Sequence, residues 1–377
     1  MLRVLFVANG HGETAIAARI AQDVRAAAGF PVGLDLLPLV GTGAGAAPLA
    51  LVGPRATMPS GGLVAMGNVA AFARDLRAGF LGLFARQLAF LRAARGRYDA
   101  VVAVGDAYAL ALALFAGRRT VFVGTAKSVY VAPYGPFERT LLRRAARVFV
   151  RDLPTAQRLR REGVAAEAPG NVIVDLVARG AAPEGAWLGL LPGSRREAYR
   201  DAVRLARVMR ALGRRRPALG ALVSIAPTVD AAELARRLAA DGWSVAAGED
   251  DAPFRARDGT TELRAWSGAL GALFAASVAT LGQAGTANEQ AAAFGVPVLA
   301  LGGDGASRED WYRMRQRRLL GDALLVLPPE PERAAGELDA LLGDEARLAR
   351  MRAAGPERMG PPGGAAAIAR AILDEAA

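Results

Sequence analysis

Cysteine is absent from the 377 residues. That removes disulfides, thiolate nucleophiles and cysteine-type zinc sites, and leaves the redox compartment open. Lysine and histidine occur once each, as Lys127 and His11, so any imidazole chemistry near neutral pH falls to one residue. Aromatic residues make up 6% of the chain and the net charge is +11. The basic runs Arg313–Arg318 and Arg214–Arg216 have no aromatic-rich platform beside them. Nucleic acid is therefore not expected as a partner, whereas an anionic lipid surface or an acidic substrate fits such runs equally well. Long apolar runs are missing too. Met1–Ala8 is too short for a signal-peptide core before Gly10, which predicts a first strand and a cytoplasmic protein. The charge-free stretch Ala265–Asn288 is broken by Gly268, Gly271, Thr280, Gly282 and Gln283, so no membrane span is expected there.

What is present is 53% apolar residues on a chain too long for one ordinary core, which predicts two domains of about 180 residues each. Strand candidates lie at Val4–Ala8, Val32–Leu37, Ala100–Val104, Thr120–Val123, Arg147–Val150, Leu188–Leu191, Leu222–Ile225, Ser244–Ala247, Ser277–Leu281 and Val296–Leu301. Alanine- and arginine-rich helical stretches separate them, a doubly wound α/β pattern seen twice. The Gly/Pro-bearing segment Arg179–Ala186 marks the boundary. The expected organisation is an N-terminal domain over 1–179, a second domain over 180–355, and a C-terminal helix over 356–377 that can pack back on the first. Ligands of such sheets bind beyond the strand carboxyl ends, so the loops there are the place to look, with a cleft expected between the domains.

The richest stretch is Leu281–Gln290. Gly285 permits a backbone bend, Thr286 can cap the following helix, and the helix N–H groups then form a phosphate seat. Glu289, one turn in and beside Gln290, can accept hydrogen bonds from a sugar hydroxyl. The same Thr286-x-x-Glu289 spacing also reads as a capping box. Leu190–Glu197 repeats the theme: Ser194 and Glu197 form a second candidate capping box after Gly193, and Arg195 beside helix N–H groups suits a diphosphate.

The first loop, Ala8–Ala15, matches the G-x-G-x-x-A of a dinucleotide fold. Glu13 argues against a pyrophosphate, because it sets a negative charge at that helix start. His11 and Glu13 instead offer an imidazole and a carboxylate for acid–base work, a loop-anchored structural histidine being the other reading. Asp106 follows the strand Ala100–Val104 and either caps the next helix or takes a proton from an acceptor hydroxyl. Lys127, in Gly124–Tyr130, is placed to meet an acceptor's phosphate as a compact ammonium, or is an ordinary surface charge. Positions 80, 84, 88 and 91 form an apolar stripe within the arginine-rich 77–97 segment, suited either to an anionic membrane or to packing on its own domain.

Five motifs in order, Asn9–Glu13, Val104–Asp106, Gly170–Asp175, Leu191–Arg195 and Gly285–Gln290, resemble lipid-A-disaccharide synthase and its relatives, nearest to the lipid-A-disaccharide synthase-related proteins. The similarity extends through Gly302–Gly305, Gln316–Gly321 and Gly360–Ala365. It implies an α/β GT-B glycosyltransferase with two Rossmann-like doubly wound domains facing across a cleft, no cofactor and no obligatory metal. A nucleotide-sugar, UDP-sugar first, would be held mainly by the second domain through Gly193, Ser194, Arg195, Gly285, Thr286, Glu289, Gln290 and Gln316. Gln316 matches a glutamine that reads the donor sugar in related enzymes acting on lipid-linked acceptors. Asp106 matches the synthase's implicated aspartate; His11 has no clear equivalent in the synthase, but a histidine in the first glycine-rich loop is a proposed base in the enzyme that makes lipid II. Ala107–Leu110 departs from the synthase pattern, so lipid A itself is not implied. The resemblance points to a lipid acceptor and to the inner membrane face. The rivals are a non-hydrolysing sugar-nucleotide epimerase, which Gly170–Asp175 also resembles, a non-catalytic nucleotide-binding protein, and a dinucleotide-dependent oxidoreductase.

Overall fold

The computed structural model describes residues 1–58, 69–117, 119–303 and 308–376. The chain divides into two compact units, Met1–Leu176 with the segment from Gly360 onward, and Val177–Met359.

The first unit runs β1 (Leu2–Asn9), α1 (His11–Ala27), β2 (Val32–Val40), β3 (Ala50–Leu51), α2 (Val69–Arg77), α3 (Phe80–Ala93), β4 (Ala100–Gly105), α4 (Ala107–Ala113), β5 (Thr120–Gly124), α5 (Pro136–Leu142), β6 (Arg147–Val150), α6 (Leu153–Arg161), β7 (Ala166–Glu167) and α7 (Val172–Asp175). Its described strands form a parallel sheet in the order β3-β2-β1-β4-β5-β6-β7. Both faces are covered, so the central strands read as continuous apolar runs. Val4, Phe6 and Ala8 of β1 pack with Ile16, Ile20 and Val24 of α1, while Leu5 and Val7 face Leu91, Leu110 and Leu112. The period of two along the strand feeds two cores. On α3, Phe80, Leu83 and Leu91 are buried, and Phe84 and Leu88 pack against the interior. The stripe in 77–97 thus lies on the unit's own core, and Leu81 is left as the large exposed apolar side chain of that helix.

The second unit runs β8 (Trp187–Leu191), α8 (Ala198–Gly213), β9 (Gly220–Ser224), α9 (Ala231–Ala240), β10 (Ser244–Glu249), β11 (Ala252–Asp258), β12 (Thr261–Trp266), α10 (Leu270–Ala276), β13 (Ser277–Gly282), α11 (Thr286–Ala293), β14 (Val298–Leu301), α12 (Arg308–Leu320), a 3₁₀ turn (Gly321–Ala323), β15 (Leu324–Leu327), α13 (Pro331–Leu342) and α14 (Glu345–Met359). The strand order is β10-β11-β12-β9-β8-β13-β14-β15. β10, β11 and β12 pair antiparallel and the rest parallel. The sequence reading missed β11 and β12. Their alternation of buried and half-buried residues around Asp258-Gly259 is a hairpin signal. It also missed β15 and the two-residue strands β3 and β7.

The last helix, α15 (Gly364–Ala376), returns to the first unit and packs Ile368, Ala369 and Ile372 against the α1 side of the sheet. Asp175 accepts hydrogen bonds from the N–H groups of Gly363 at 2.6 Å and Ala365 at 2.8 Å. Gly170 has φ +146, and a Cβ there would stand 2.7 Å from the Gly364 nitrogen. The Gly170–Asp175 motif, read from sequence as shared with epimerases, is therefore the seat of the C-terminal helix.

Candidate functional site

In the second unit two loops meet at the carboxyl edge of the sheet. Gln283 and Ala284, at the end of β13, both donate their N–H groups to the carbonyl of Leu191, at 2.9 and 3.1 Å. Gly193 takes φ +107, and a Cβ there would lie 3.9 Å from the Cα of Ala284. The sequence pairs Gly193–Arg195 and Gly285–Glu289 thus become neighbours because β8 and β13 are hydrogen-bonded strands.

Neither sequence-predicted capping box forms. α11 starts at Thr286 with Gly285 as its N-cap and no side-chain cap, so Thr286 is already inside the first turn. α8 starts at Ala198, with Glu197 as N-cap and no side-chain bond. A turn closed by Ala198 N–H on the Arg195 carbonyl at 2.9 Å precedes it, which leaves Ser194 too early to reach the helix. Ser194 and Arg195 are exposed, and the Ser194 carbonyl accepts from the Thr228 hydroxyl at 2.6 Å. The first N–H groups of α11 have no intrahelical acceptor.

Gln316 lies beneath the same turn. It is 4% exposed, and its amide donates to the carbonyls of Ala284 at 3.2 Å and Gly285 at 3.3 Å. Its oxygen accepts from Arg313 at 2.7 Å and Asn288 at 3.3 Å. Both ends of this carboxamide hold the turn in place. Arg313, read as part of a surface basic run, is itself buried and donates to the Gln283 carbonyl at 2.9 Å. Asn288, also buried, donates to the Gly282 carbonyl at 3.0 Å. Gln290 is buried while Glu289 is half-buried on the first turn of α11.

Tyr312, from α12, carries no motif that marks it in the sequence. Its hydroxyl packs on the bare Cα of Gly285, where a Cβ would stand 2.3 Å from the phenolic oxygen and 3.5 Å from Cζ. Burial raises the phenol's pKa, as does the charge of Glu289, while Arg313, Arg195 and Arg315 lower it. One hydroxyl thus senses the charges of both strand-end loops and of α12.

In the first unit, β1 runs through Gly10, at φ 114, directly into α1. Glu13 sits on the first turn, and its Cγ lies 3.0 Å from where a Cβ would be on Gly105. Gly105, at φ +127 with no side chain, gives that carboxylate room at the end of β4. Glu13 has its pKa raised from 4.5 to about 7, first by burial and also by the negative charge of Asp106, against a hydrogen bond from its own backbone. At neutral pH a large share of it is uncharged. The electrostatic objection to a pyrophosphate on this loop, drawn from sequence, is therefore weaker than a fully ionised carboxylate would make it. Asp106 caps α4, with Oδ1 accepting from Tyr108 N–H at 3.1 Å and Ala109 N–H at 3.0 Å, and Oδ2 accepting from Asn9 Nδ2 at 3.1 Å. His11 is exposed, with Cε1 and Nε2 each 3.8 Å from a Cβ position on Gly41.

Lys127 is held beside α5. Its ammonium pairs with Glu138 at 2.7 Å and stands 5.7 Å from the Tyr134 ring centroid. Glu138 also accepts the Gly135 N–H at 2.7 Å at the start of α5. The Lys127→Ala variant is expected to lose about 1 kcal/mol of stability, the upper range for a partly exposed pair, read as a lower urea midpoint with an unchanged slope. A midpoint equal to that of the parent chain would remove the pair from the account of this loop.

Among the described residues, no group of three or more acidic or imidazole side chains is placed to hold a metal ion, and no helix is long and apolar enough to cross a membrane. The Asp304–Gly305 end of the Gly302–Gly305 segment lies outside the described residues.

The chain matches no protein-family model and no curated protein sequence. Solved structures do match it over nearly its whole length. MurG from Acinetobacter baumannii is similar with a TM-score of 0.56 at 13% identity, over 99% of this chain and 100% of that one. UDP-GlcNAc 2-epimerase from Neisseria meningitidis, solved bound to UDP-GlcNAc, is similar with a TM-score of 0.53 at 11% identity, over 99% of each chain. The spinosyn forosaminyltransferase SpnP is similar with a TM-score of 0.53 at 17% identity, over 100% of each. The fold is GT-B. Within it, the loops gathered here occupy the strand carboxyl ends of each Rossmann-like unit, where such sheets bind ligands.

Proposed function

We propose that this chain is an enzyme that uses a nucleotide-diphosphate sugar, UDP-sugar first, and transfers the sugar to a hydroxyl of a lipid or lipid-linked acceptor. The observation that carries the reading is the pairing of β8 with β13 in the second unit, which sets the loop of the exposed Arg195 beside the turn that leads into the α11 N-terminus and Glu289. A guanidinium and unshared N–H groups suit a diphosphate, and a carboxylate one turn further suits a ribose hydroxyl. Similar folds solved with UDP or UDP-GlcNAc bound support the choice of donor.

Transfer with inversion requires an acceptor hydroxyl to lose its proton as the anomeric carbon loses the diphosphate. Charge growing on the leaving phosphate is stabilised by Arg195 and the α11 N–H groups. The first unit supplies the base. Asp106 has both oxygens occupied by donors, and His11 is exposed, whereas Glu13 exchanges its proton near neutral pH and has Asp106 beside it to keep its proton affinity high. Glu13 is therefore the proton acceptor in this proposal and Asp106 its electrostatic partner. Gly170–Asp175, the motif that resembles epimerases, seats α15.

Arg195→Ala tests the donor site. UDP affinity measured by calorimetry is expected to fall about tenfold or more, the range for a charge-assisted contact, with the melting temperature unchanged because the side chain is exposed. Equal UDP affinity in the two proteins would remove Arg195 and its loop from the donor site. Incubation with UDP-GlcNAc without acceptor separates transfer from epimerisation, since only an epimerase changes the sugar under those conditions.

A further inference from the structure

We infer that Tyr312 is a phosphate ligand of the donor site, donating its phenolic hydrogen to the diphosphate seated between the β8 and β13 loops. The inference rests on the donor reading above and adds to it a residue that no sequence motif marks.

The side chain is built as a donor on a platform. Its ring is partly exposed, at 39% for the residue, while the hydroxyl reaches inward onto Gly285. The fit depends on glycine, because any Cβ at 285 would stand 2.3 Å from the phenolic oxygen. Gly285 is also the N-cap of α11, so the hydroxyl lies at the mouth of the same helix whose first N–H groups lack intrahelical acceptors. A phenol there adds a neutral donor to those N–H groups without adding charge.

Three guanidinium groups and one carboxylate surround this point. Arg195 from the β8 loop and Arg313 and Arg315 from α12 act on the phenol from around it, with Glu289 as the opposing charge. A phenol is protonated at neutral pH in any case, burial only raising its pKa further, and a protonated phenol is the donor a phosphate oxygen accepts from. The hydroxyl is held still from below. Arg313 and Gln316, on the same helix as Tyr312, are hydrogen-bonded to the carbonyls of Gln283, Ala284 and Gly285. α12 and the turn therefore move as one piece, and a hydroxyl fixed before binding loses little entropy when the ligand arrives.

The test is calorimetric titration of the full chain and its Tyr312→Phe variant with UDP, UMP and uridine. Phenylalanine keeps the ring and removes only the donor. The expected result is a Kd for UDP raised roughly ten- to a hundredfold, as for a hydrogen bond to a charged group, with uridine affinity and melting temperature unchanged. Gly285→Ala should mimic this loss by pushing the hydroxyl away, and combining the two changes should cost no more than Tyr312→Phe alone, because the phenyl ring leaves room for the added methyl. Unchanged UDP affinity in Tyr312→Phe overturns the inference while leaving the donor site standing. An equal loss for uridine also overturns it, since the ring would then be contacting the base. Failure of the unmodified chain to bind UDP overturns the donor reading itself, and the inference with it.

Discussion

Glu13→Gln is expected to lower turnover by roughly 10² to 10⁴, the contribution of a positioned general base, with UDP affinity unchanged because donor binding is assigned to the other unit. In the parent chain the rate should rise with pH through about 7, where Glu13 loses its proton, and this limb should vanish in the variant. Asp106→Asn removes the like charge beside Glu13 and should move the limb to lower pH, without abolishing it, because burial is the larger cause of the shift. Full activity of Glu13→Gln would sink this assignment and pass the role to His11, for which His11→Gln is the matching variant.

The same carboxyl makes a stability prediction whose sign is definite. Its folded pKa, about 7, exceeds the ordinary 4.5, so between those values the native chain holds the proton more tightly than the unfolded one. Its contribution is fully present below pH 4.5, declines as the pH rises to about 7, and is gone above. The decline amounts to no more than about 3 kcal/mol, because a half-buried carboxyl keeps part of its hydration. Urea unfolding of Glu13→Gln over that window should lack this slope and show higher stability than the parent above about pH 7. Parallel pH curves for the two proteins would mean that Glu13 is ordinary in its titration.

Ending the chain at Met359 is expected to unfold the first unit. The deleted helix contributes Ile368 and Ile372, buried in the core on the α1 side with Ala365, Ala369 and Ala371. Burial of each isoleucine is worth roughly 1.5–3 kcal/mol, and the exposed face of α1 adds a similar loss. The sum is comparable with the roughly 5–15 kcal/mol that holds a whole domain. Asp175, which accepts the Gly363 and Ala365 N–H groups, would also lose its partners. Circular dichroism should show the truncated chain retaining a cooperative transition for the second unit only. A second transition of unchanged midpoint would mean that α15 is a passenger.

Much of the architecture is legible in the amino-acid sequence. The apolar runs of β1, β4 and β5 sit between amphipathic helices, and a strand buried on both faces needs no alternation, so the parallel α/β class follows from the sequence alone. The loops after β1, β4, β8 and β13 are the ligand-bearing candidates on the same grounds, because in this architecture ligands bind beyond the carboxyl ends of the strands. The hairpin of β11 and β12 is also written there, in the alternation flanking Asp258-Gly259, but arginines on its outward positions hide it among helical stretches.

Only the tertiary structure decided what the side chains in those loops do. Thr286 and Glu289 have the spacing of a capping box, yet the helix begins at Thr286 itself, because Gly285 takes the cap position and lets the Tyr312 hydroxyl onto its Cα. Gln316 has the residue type to read a sugar, and in the fold it donates to the carbonyls beneath the turn. Lys127 is held by Glu138. Glu13 looks like an ordinary ionised carboxylate until β4 brings Gly105 and Asp106 against it. A sequence sets residue type and local periodicity, which suffice for strands, helices and the edge where they open. Proton affinity and hydrogen-bond availability depend instead on desolvation and on neighbours far along the chain, and those exist only once β1 lies beside β4 and β8 beside β13.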